Sequence, residues 1–383
     1  MVNFLAIAGA VLAADHPGEV MPDRHWDFVH LDLTVKVDWE SESVTGTAVH
    51  QVEPLGRPYG WVRLHQVALD IAEVLVNGRE VQGWRLGNDT LDIPVPPGRD
   101  AEVTVSWRTT PDSGMHFRGQ RGSADEIREV WTHGEPEENR YWFPGWDYPN
   151  DLFTVTTHVE VREPFVALAN GVLEEKTPLG DGWNRYSYSF DYPIANYLIA
   201  IAAGEYRSYD ADGVVPLEFI ASRRAREEDV RQTLATSAEQ MVYFGESFGT
   251  PYPFPVYRQL FVQRFKHSGM ENSSFTILND GLLRHKDEEV TIRDQMLVAH
   301  ELAHQWFGDL LFCYGWREMW LKEGLAEYYS YRWLEHHYGP GLAASWMKST
   351  LNMADDDANP MSPRGWSEGE EQYSSVYSRG AAV

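Results

Sequence analysis

Apolar and polar positions alternate with a period of two over much of the first half of the chain. In the clearest stretch, Val29–Asp38, every second residue is apolar, and this spacing predicts a half-buried β-strand. Turn signals such as Asn77-Gly78 and Asp181-Gly182 separate the strands. We therefore expect residues 15–206 to form a large N-terminal β-sandwich domain. The other predicted strands are Val44–Val52, Trp61–Val67, Glu102–Trp107, Phe153–Val161 and Tyr186–Phe190.

A helical pattern replaces the strand pattern in the last third of the chain. Some strand character persists to about residue 278. Thr291, with Asp294 three residues later, then resembles a capping box, and an apolar stripe at helical spacing follows. A second helix is predicted from about Arg317 to Tyr338, because a Gly-Pro-Gly segment follows it. These signals predict an α+β lobe over residues 207–383.

A glycine lies inside the second predicted helix. Gly324 costs about 1 kcal/mol at such a position relative to alanine. We expect that this helix approaches the first one closely at Gly324, which would explain the glycine.

The first predicted helix carries His300-Glu301-Leu302-Ala303-His304. Histidines at i and i+4 lie about one turn apart on the same face, so both imidazoles can reach one metal ion. Glu301 can reach a metal-bound water from its place between them. A catalytic zinc takes three protein ligands and leaves one position for water. Glu323 would supply the third ligand if the second helix packs against the first, so the sequence predicts a His, His, Glu zinc site.

The HExxH pattern also arises by chance, but the well-formed helix around it favours a metal site. Glu327, one turn after Glu323, has two interpretations. Its carboxylate either accepts the second ring N–H of a ligand histidine or is a solvated surface group. His285 and His336-His337 lack ligand spacing to any nearby residue, so we expect them at the surface.

Composition and charge exclude some partners. The 383 residues are 43% hydrophobic, which is enough for a sizeable core, and the formal net charge is −26. Such a surface repels nucleic acid and anionic membranes. Cys313 is the only cysteine, so no internal disulfide can form, and we expect it to be a small buried residue.

The N-terminus contains a short apolar run at residues 4–14. It is too short to span a bilayer and resembles the apolar region of a secretory signal peptide, although a basic segment before it is missing. We predict a signal peptide over residues 1–14 and an extracytoplasmic (secreted or periplasmic) location. The alternative is a cytoplasmic protein with a frayed apolar N-terminus.

Four separated motifs resemble one enzyme family. His300–Asp309 (HELAHQWFGD) together with Trp320–Tyr328 (WLKEGLAEY) is similar to the zinc motif of the gluzincin metalloaminopeptidases, which include aminopeptidase N and the leukotriene-hydrolysing aminopeptidase. Ser268–Asn272 resembles the Gly-x-Met-Glu-Asn exopeptidase motif of that family. Thr132–Pro149 resembles the stretch with which its first domain enters the active site, and Phe248–Pro253 the segment that opens its catalytic lobe.

The resemblance implies a fold and a zinc centre. The fold would be an N-terminal β-sandwich followed by a thermolysin-like catalytic lobe that is incomplete at the C-terminus, since family members continue with further helices. One Zn²⁺ would be bound by His300, His304 and Glu323. Glu301 would be the general base.

The resemblance also implies how a peptide with a free N-terminus would bind. Glu271 and Glu135 would hold its α-amino group, and Tyr377 would stabilise the oxyanion. The substrate-binding region would include Gly269, Met270 and Asn272.

Two positions depart from the family pattern. His133 stands where relatives usually carry Gln, which would alter the pocket for the substrate's first side chain. Arg379 replaces the usual Lys and keeps the charge with a different geometry. His267, next to the Gly-Met-Glu-Asn segment, would line the cleft without binding a second metal.

These implications predict a zinc aminopeptidase, a hydrolase that releases single N-terminal residues from peptides. A zinc endopeptidase is the alternative enzyme, because it would share the zinc site without needing an amine anchor. A non-catalytic peptide-binding scaffold is the alternative outside enzymes. The ligands His300, His304 and Glu323 and the base Glu301 are all present, which favours catalysis.

Overall fold

The structure is a computed structural model, and it describes residues 21–119, 127–285, 287–356, 376–377 and 380–381. The predicted signal peptide at residues 1–14 and Arg379 lie outside the described residues. Within them, no helix is both long and apolar enough to span a membrane.

The N-terminal part is β-rich, as predicted, because its alternating segments bury one face. In β1 (Trp26–Asp38), Leu31, Leu33 and Val35 are fully buried while the residues between them are more exposed. The strands that follow are β2 (Ser43–Pro54), β3 (Trp61–His65), β4 (Asp70–Val76), β5 (Arg79–Glu80), β6 (Arg85–Leu86), β7 (Thr90–Pro94), β8 (Ala101–Thr109), β9 (Met115–Arg118), β10 (Glu129–Thr132), β11 (Phe153–Arg162), β12 (Val166–Ala169), β13 (Val172–Gly180), β14 (Trp183–Ile194) and β15 (Ile201–Gly204).

These strands form three sheets. The largest has eight strands in the order β13-β14-β11-β1-β2-β8-β4-β5, and a three-stranded sheet has the order β3-β7-β6. In the large sheet β1 pairs in parallel with β11 and antiparallel with β2. A four-stranded sheet has the order β12-β15-β10-β9, and its strand β10 ends at Thr132. The chain that follows β10 therefore leads directly to Glu135.

The second part is an α+β lobe built around a five-stranded sheet. Its strands are β16 (Tyr206–Ala211), β17 (Leu217–Ser222), β18 (Tyr257–Val262), β19 (Gly269–Met270) and β20 (Phe275–Asn279). The order is β16-β17-β18-β20-β19, so β19 lies at an edge. The helices are α1 (Glu227–Thr233), α2 (Ser237–Phe248), α3 (Ile292–Ala303), α4 (Met319–Tyr338) and α5 (Pro340–Asp356).

Three of these helices, α1, α2 and α5, were not predicted individually. The sequence indicated some strand character between residues 208 and 278, and α1 and α2 lie between strands there. Helix α2 packs beside the others through aromatic rings. Phe248 contacts Trp306 and Tyr329 at ring-centroid distances of 5.2 and 4.5 Å. The division of the chain at residues 206 and 207 stays a prediction.

Helices α3 and α4 form an antiparallel pair. The predicted capping box at the start of α3 is present: the Thr291 hydroxyl accepts from Asp294 N, and the Asp294 carboxylate accepts from Thr291 N. The hydroxyl of Tyr338, at the end of α4, donates to Gln295 near the start of α3. The C-terminal end of α3 therefore faces the N-terminal part of α4.

The explanation predicted for Gly324 was wrong. A Cβ on Gly324 would overlap the backbone of Gly380 rather than reach α3. Conversely, a Cβ on Gly380 would lie 2.9 Å from the Gly324 Cα. The glycine lets the segment with Val376, Tyr377 and Gly380 pack directly on α4.

Candidate active site

His300 and His304 come from the last turn of α3 and point at each other. Their Nε2 atoms lie 3.0 Å apart, and both residues are buried. The Nδ1–H of His304 donates to the carbonyl oxygen of Phe307 at 2.9 Å. This hydrogen bond leaves the Nε2 lone pair of His304 free to bind a metal ion.

Glu323 from α4 completes a group of three ligand atoms. Its Oε2 lies 3.3 Å from His300 Nε2 and 3.2 Å from His304 Nε2. In a tetrahedral zinc site with bonds of about 2.0–2.1 Å, neighbouring ligand atoms are roughly 3.3 Å apart. Lone pairs that converge in this way repel one another unless a cation lies among them. The three residues therefore fit a zinc ion by both donor type and spacing.

Glu327 lies behind His300. Its Oε2 is 3.3 Å from His300 Nδ1, and its Oε1 accepts a hydrogen bond of 2.6 Å from the Tyr331 hydroxyl. Of the two interpretations that the sequence left open, the contact with the ligand histidine matches the geometry. Such a carboxylate orients the imidazole ring and increases its basicity.

Glu301 is buried beside the three ligand residues. Burial raises the pKa of its carboxyl group to about 8, and the carboxylates of Glu271 and Glu323 act in the same direction. The edge strand β19 covers it closely, since a Cβ on Gly269 would overlap the Glu301 carboxyl group. Glycine is therefore required at position 269 if Glu301 is to keep its place.

The three candidate metal ligands, His300, His304 and Glu323, form a first cluster. A second cluster, made of three carboxylates around a lysine, adjoins it and shares Glu323. The ammonium of Lys322 lies 2.6 Å from Glu135 Oε1, 2.6 Å from Glu271 Oε1 and 2.7 Å from Glu323 Oε1. The Lys322 side chain is 1% exposed. The structure thus brings together Glu135 and Glu271, as the resemblance implied. Lys322, which was not predicted from the sequence, contacts both carboxylates.

Lys322 offsets the charge of this cluster. Burial alone would lower its pKa, but the three carboxylates outweigh burial and hold the pKa well above its usual value. Burial would likewise raise the pKa of Glu271, but the Lys322 ammonium lowers it. In the sequence, the one feature that singles out Lys322 is its position directly before a predicted zinc ligand.

The remaining predicted substrate residues lie around the same cleft, with one exception. Tyr377 lines the cleft, and its ring stacks on that of His300 at 5.8 Å. Gly269 and Met270 also line it, whereas Asn272 is fully buried and does not. The cavity has a volume of about 610 Å³.

The other histidines singled out in the sequence, and Cys313, lie beside residues other than the three candidate metal ligands. His133 and His267 line the cleft with their rings stacked at 4.8 Å. His285 lies beside Asp229, and His337 beside Glu239. Cys313 is buried, and its Sγ–H donates to the carbonyl oxygen of Glu318.

Comparison with known sequences identifies the family to which this site belongs. The profile of the peptidase M1 N-terminal domain matches residues 27–198, and the profile of the peptidase family M1 domain matches residues 232–379. The chain belongs to peptidase family M1. The M1 domain profile spans β19, α3 and α4, and hence His300, His304 and Glu323.

Individual relatives of this M1 chain carry aminopeptidase names. Aminopeptidase N of Acetobacter pasteurianus is 29% identical over 316 residues, which are 78% of this chain and 88% of the relative. Aminopeptidase N of Lactobacillus delbrueckii subsp. lactis is 27% identical over 80% of this chain. Glutamyl aminopeptidase of Bos taurus is 28% identical over 79%. The matched segment is only 37% and 34% of the length of the last two relatives.

Proposed function

We propose that this chain carries the active site of a zinc-dependent aminopeptidase, which hydrolyses the first peptide bond of a peptide. The observation that carries the proposal is the contact between two clusters in one cleft. Glu323 faces His300 and His304 through Oε2 and the Lys322 ammonium through Oε1. A place for bond cleavage and a place for an amino terminus are therefore immediate neighbours. The aminopeptidase names of the relatives agree with this assignment.

The chemistry at the first cluster divides between the metal and Glu301. A zinc ion held by His300, His304 and Glu323 would supply a Lewis acid that lowers the pKa of water to about 7. Glu301 accepts the proton of the attacking water and then delivers it to the leaving nitrogen. Burial raises the pKa of Glu301 above that of a solvated glutamate, which makes its carboxylate a stronger base for the proton of water.

The carboxylates of the second cluster bind the amino end of the peptide. Glu135 and Glu271 line the cleft, and Lys322 does not. The two carboxylates face the space in which a substrate's α-ammonium would lie, and the lysine supports them from behind. The ring of Tyr377 stacks on that of His300, and its hydroxyl would stabilise the oxyanion that forms on the substrate. Burial raises the pKa of its hydroxyl, which keeps the group neutral and able to donate to an oxyanion.

The test compares an aminoacyl-coumarin amide with its N-acetylated form on zinc-loaded protein. We expect cleavage of the free amine alone, because the acetyl group removes the charge that the two carboxylates hold. Equal cleavage of both compounds would indicate an endopeptidase and contradict the amine anchor. Cleavage of neither would favour a peptide-binding scaffold.

A pair of glutamate variants makes this test specific. Glu271→Gln keeps the size of the side chain and removes its charge, so we expect kcat/KM for the free amine to fall about 30-fold or more. Glu246→Gln, on the exposed side of α2, is the matched control and should keep the parent value. If both variants behave alike, Glu271 does not bind the amino group.

A further inference from the structure

One face of α3 lines the cleft for two helical turns before the first metal ligand. Arg293, Met296, Leu297 and His300 all contribute to the cleft wall. Their spacing of three, four and seven residues places them on one side of the helix. The cleft therefore extends along α3 beyond the zinc site, and Arg293 lies at its far end.

Arg293 is unusual among the residues of this wall. It is the only arginine or lysine among the described residues that line the cleft. It is exposed, and no Asp or Glu of the described residues lies within salt-bridge distance of it. Its guanidinium lies over the ring of Trp346, 5.9 Å from the ring centroid. Most other arginines near α3 and α4 are paired, such as Arg284 with Asp294 and Arg332 with Glu335.

The order of groups along α3 gives the direction of a bound peptide. Glu271 lies at the C-terminal end of α3, because Gln305 donates to its backbone oxygen at 2.7 Å. His300 and His304 follow, and Arg293 lies seven residues before His300. The amino terminus of a substrate would thus lie at one end and its leaving part would extend towards Arg293.

The distance fits a short peptide. Seven residues of α-helix span roughly 10 Å, and an extended peptide covers about 3.3–3.6 Å per residue. Along the helix, the backbones of Arg293 and His300 are therefore about as far apart as two or three residues of an extended peptide.

We propose that Arg293 binds a carboxylate of the substrate, two or three residues after the cleaved bond. This inference rests on the proposed function. Five carboxylates line the cleft, namely those of Glu135, Glu271, Glu301, Glu323 and Glu327, and they repel an anionic substrate group. The planar guanidinium of Arg293 pairs with no carboxylate of the described residues, so it can offset this repulsion and offer bidentate geometry. The carboxylate comes either from the C-terminus of a tri- or tetrapeptide or from an acidic side chain of a longer peptide.

Binding is measured separately from turnover. We would use zinc-loaded Glu301→Gln protein, which the proposed mechanism makes unable to cleave, and titrate it calorimetrically with Leu-Gly-Gly-Gly as the free acid and as the C-terminal amide. Leu-Gly-Glu-Gly-amide and Leu-Gly-Gln-Gly-amide test the side-chain source in the same way. The acid should bind about fivefold more tightly than its neutral partner in at least one pair, and the responding pair identifies the source.

Two arginine variants connect the effect to one side chain. Adding Arg293→Gln should remove the preference for the acid, whereas Arg293→Lys should keep part of it. Arg332→Gln, on α4 and outside the cleft wall, is the matched control and should keep the full preference. Equal binding of acid and neutral peptides, a preference that survives Arg293→Gln, or no binding of any peptide would each overturn the inference.

Failure of the inference can be told apart from failure of the proposed function. Hydrolysis of the four peptides by protein with Glu301 intact reports on the function alone. If the first residue is released from every peptide at the same KM, the chain is an aminopeptidase and Arg293 has no part in substrate choice. If acid peptides bind through Arg293 and none is cleaved, the function is wrong and the carboxylate site remains.

Discussion

Two clusters of ligand atoms share Glu323, yet they differ in what they can hold. Around Oε2 lie two imidazole nitrogens, and no described protein cation lies among the three atoms. Around Oε1 lie two more carboxylates, and the Lys322 ammonium already contacts all three. Acidic residues in close contact are therefore not sufficient to indicate a metal site. The nitrogen ligands, with ring orientations fixed by Phe307 and Glu327, distinguish the first cluster from the second.

The largest effect on metal binding is expected when one imidazole of the first cluster is removed. In His304→Ala, bound zinc should fall from about one per chain to near zero, and peptide hydrolysis should fall at least about a thousandfold. Elemental analysis after dialysis measures the metal. Glu135→Gln, which changes only the second cluster, should keep its zinc. Full zinc content in His304→Ala would show that the first cluster has been wrongly assigned.

Glu301 belongs to neither cluster, which allows metal binding and catalysis to be separated. Glu301→Gln should retain zinc while kcat falls about a thousandfold, because the general base is lost and the ligands are not. Zinc content and initial rates on the same sample measure both effects. Unchanged kcat would mean that another group takes the proton.

Lys322 allows the second cluster to be tested through stability. Lys322→Met leaves three buried carboxylates without a cation, so the free energy of unfolding should fall by about 3–5 kcal/mol. Urea unfolding of the variant beside Lys348→Met, an exposed lysine on α5, measures the difference. Equal stability of the two variants would mean that the carboxylates do not depend on Lys322.

The smallest effect is expected at Glu327, which contacts the metal cluster only through His300. Glu327→Gln should weaken zinc affinity about 10- to 100-fold while the folded structure persists. Competition with a chelator of known affinity measures this change, with Glu335→Gln, a half-buried carboxylate of α4 outside the cleft wall, as the control. Unchanged affinity would make Glu327 an ordinary helix carboxylate.

The sequence predicted the parts of the site that follow from helix periodicity. His300 and His304 are one turn apart on a capped helix, so their proximity needs only local structure. Glu135 lies far away in the chain, and only the family resemblance connected it with Glu271. The β-rich first part was also predictable, because its alternating apolar positions have a period that only strands can bury on one side.

Other features depend on tertiary contacts that no local pattern reports. Helices α1 and α2 lie between strands of the same sheet, where the sequence indicated some strand character. The role of Lys322 requires knowledge that three acids from distant parts of the chain meet at its ammonium. The partner of Gly324 was misassigned because the second surface that touches α4 comes from the segment at the end of the described chain.

The contact between Gly324 and Gly380 couples the position of Glu323 to the position of Tyr377. Gly324 directly follows Glu323, and Gly380 lies three residues after Tyr377. A single methyl group added at either glycine would push the tyrosine segment outwards while the histidines on α3 stay in place. The absence of two side chains thus sets the distance between Tyr377 and the three candidate metal ligands, because only bare backbone separates α4 from the tyrosine segment.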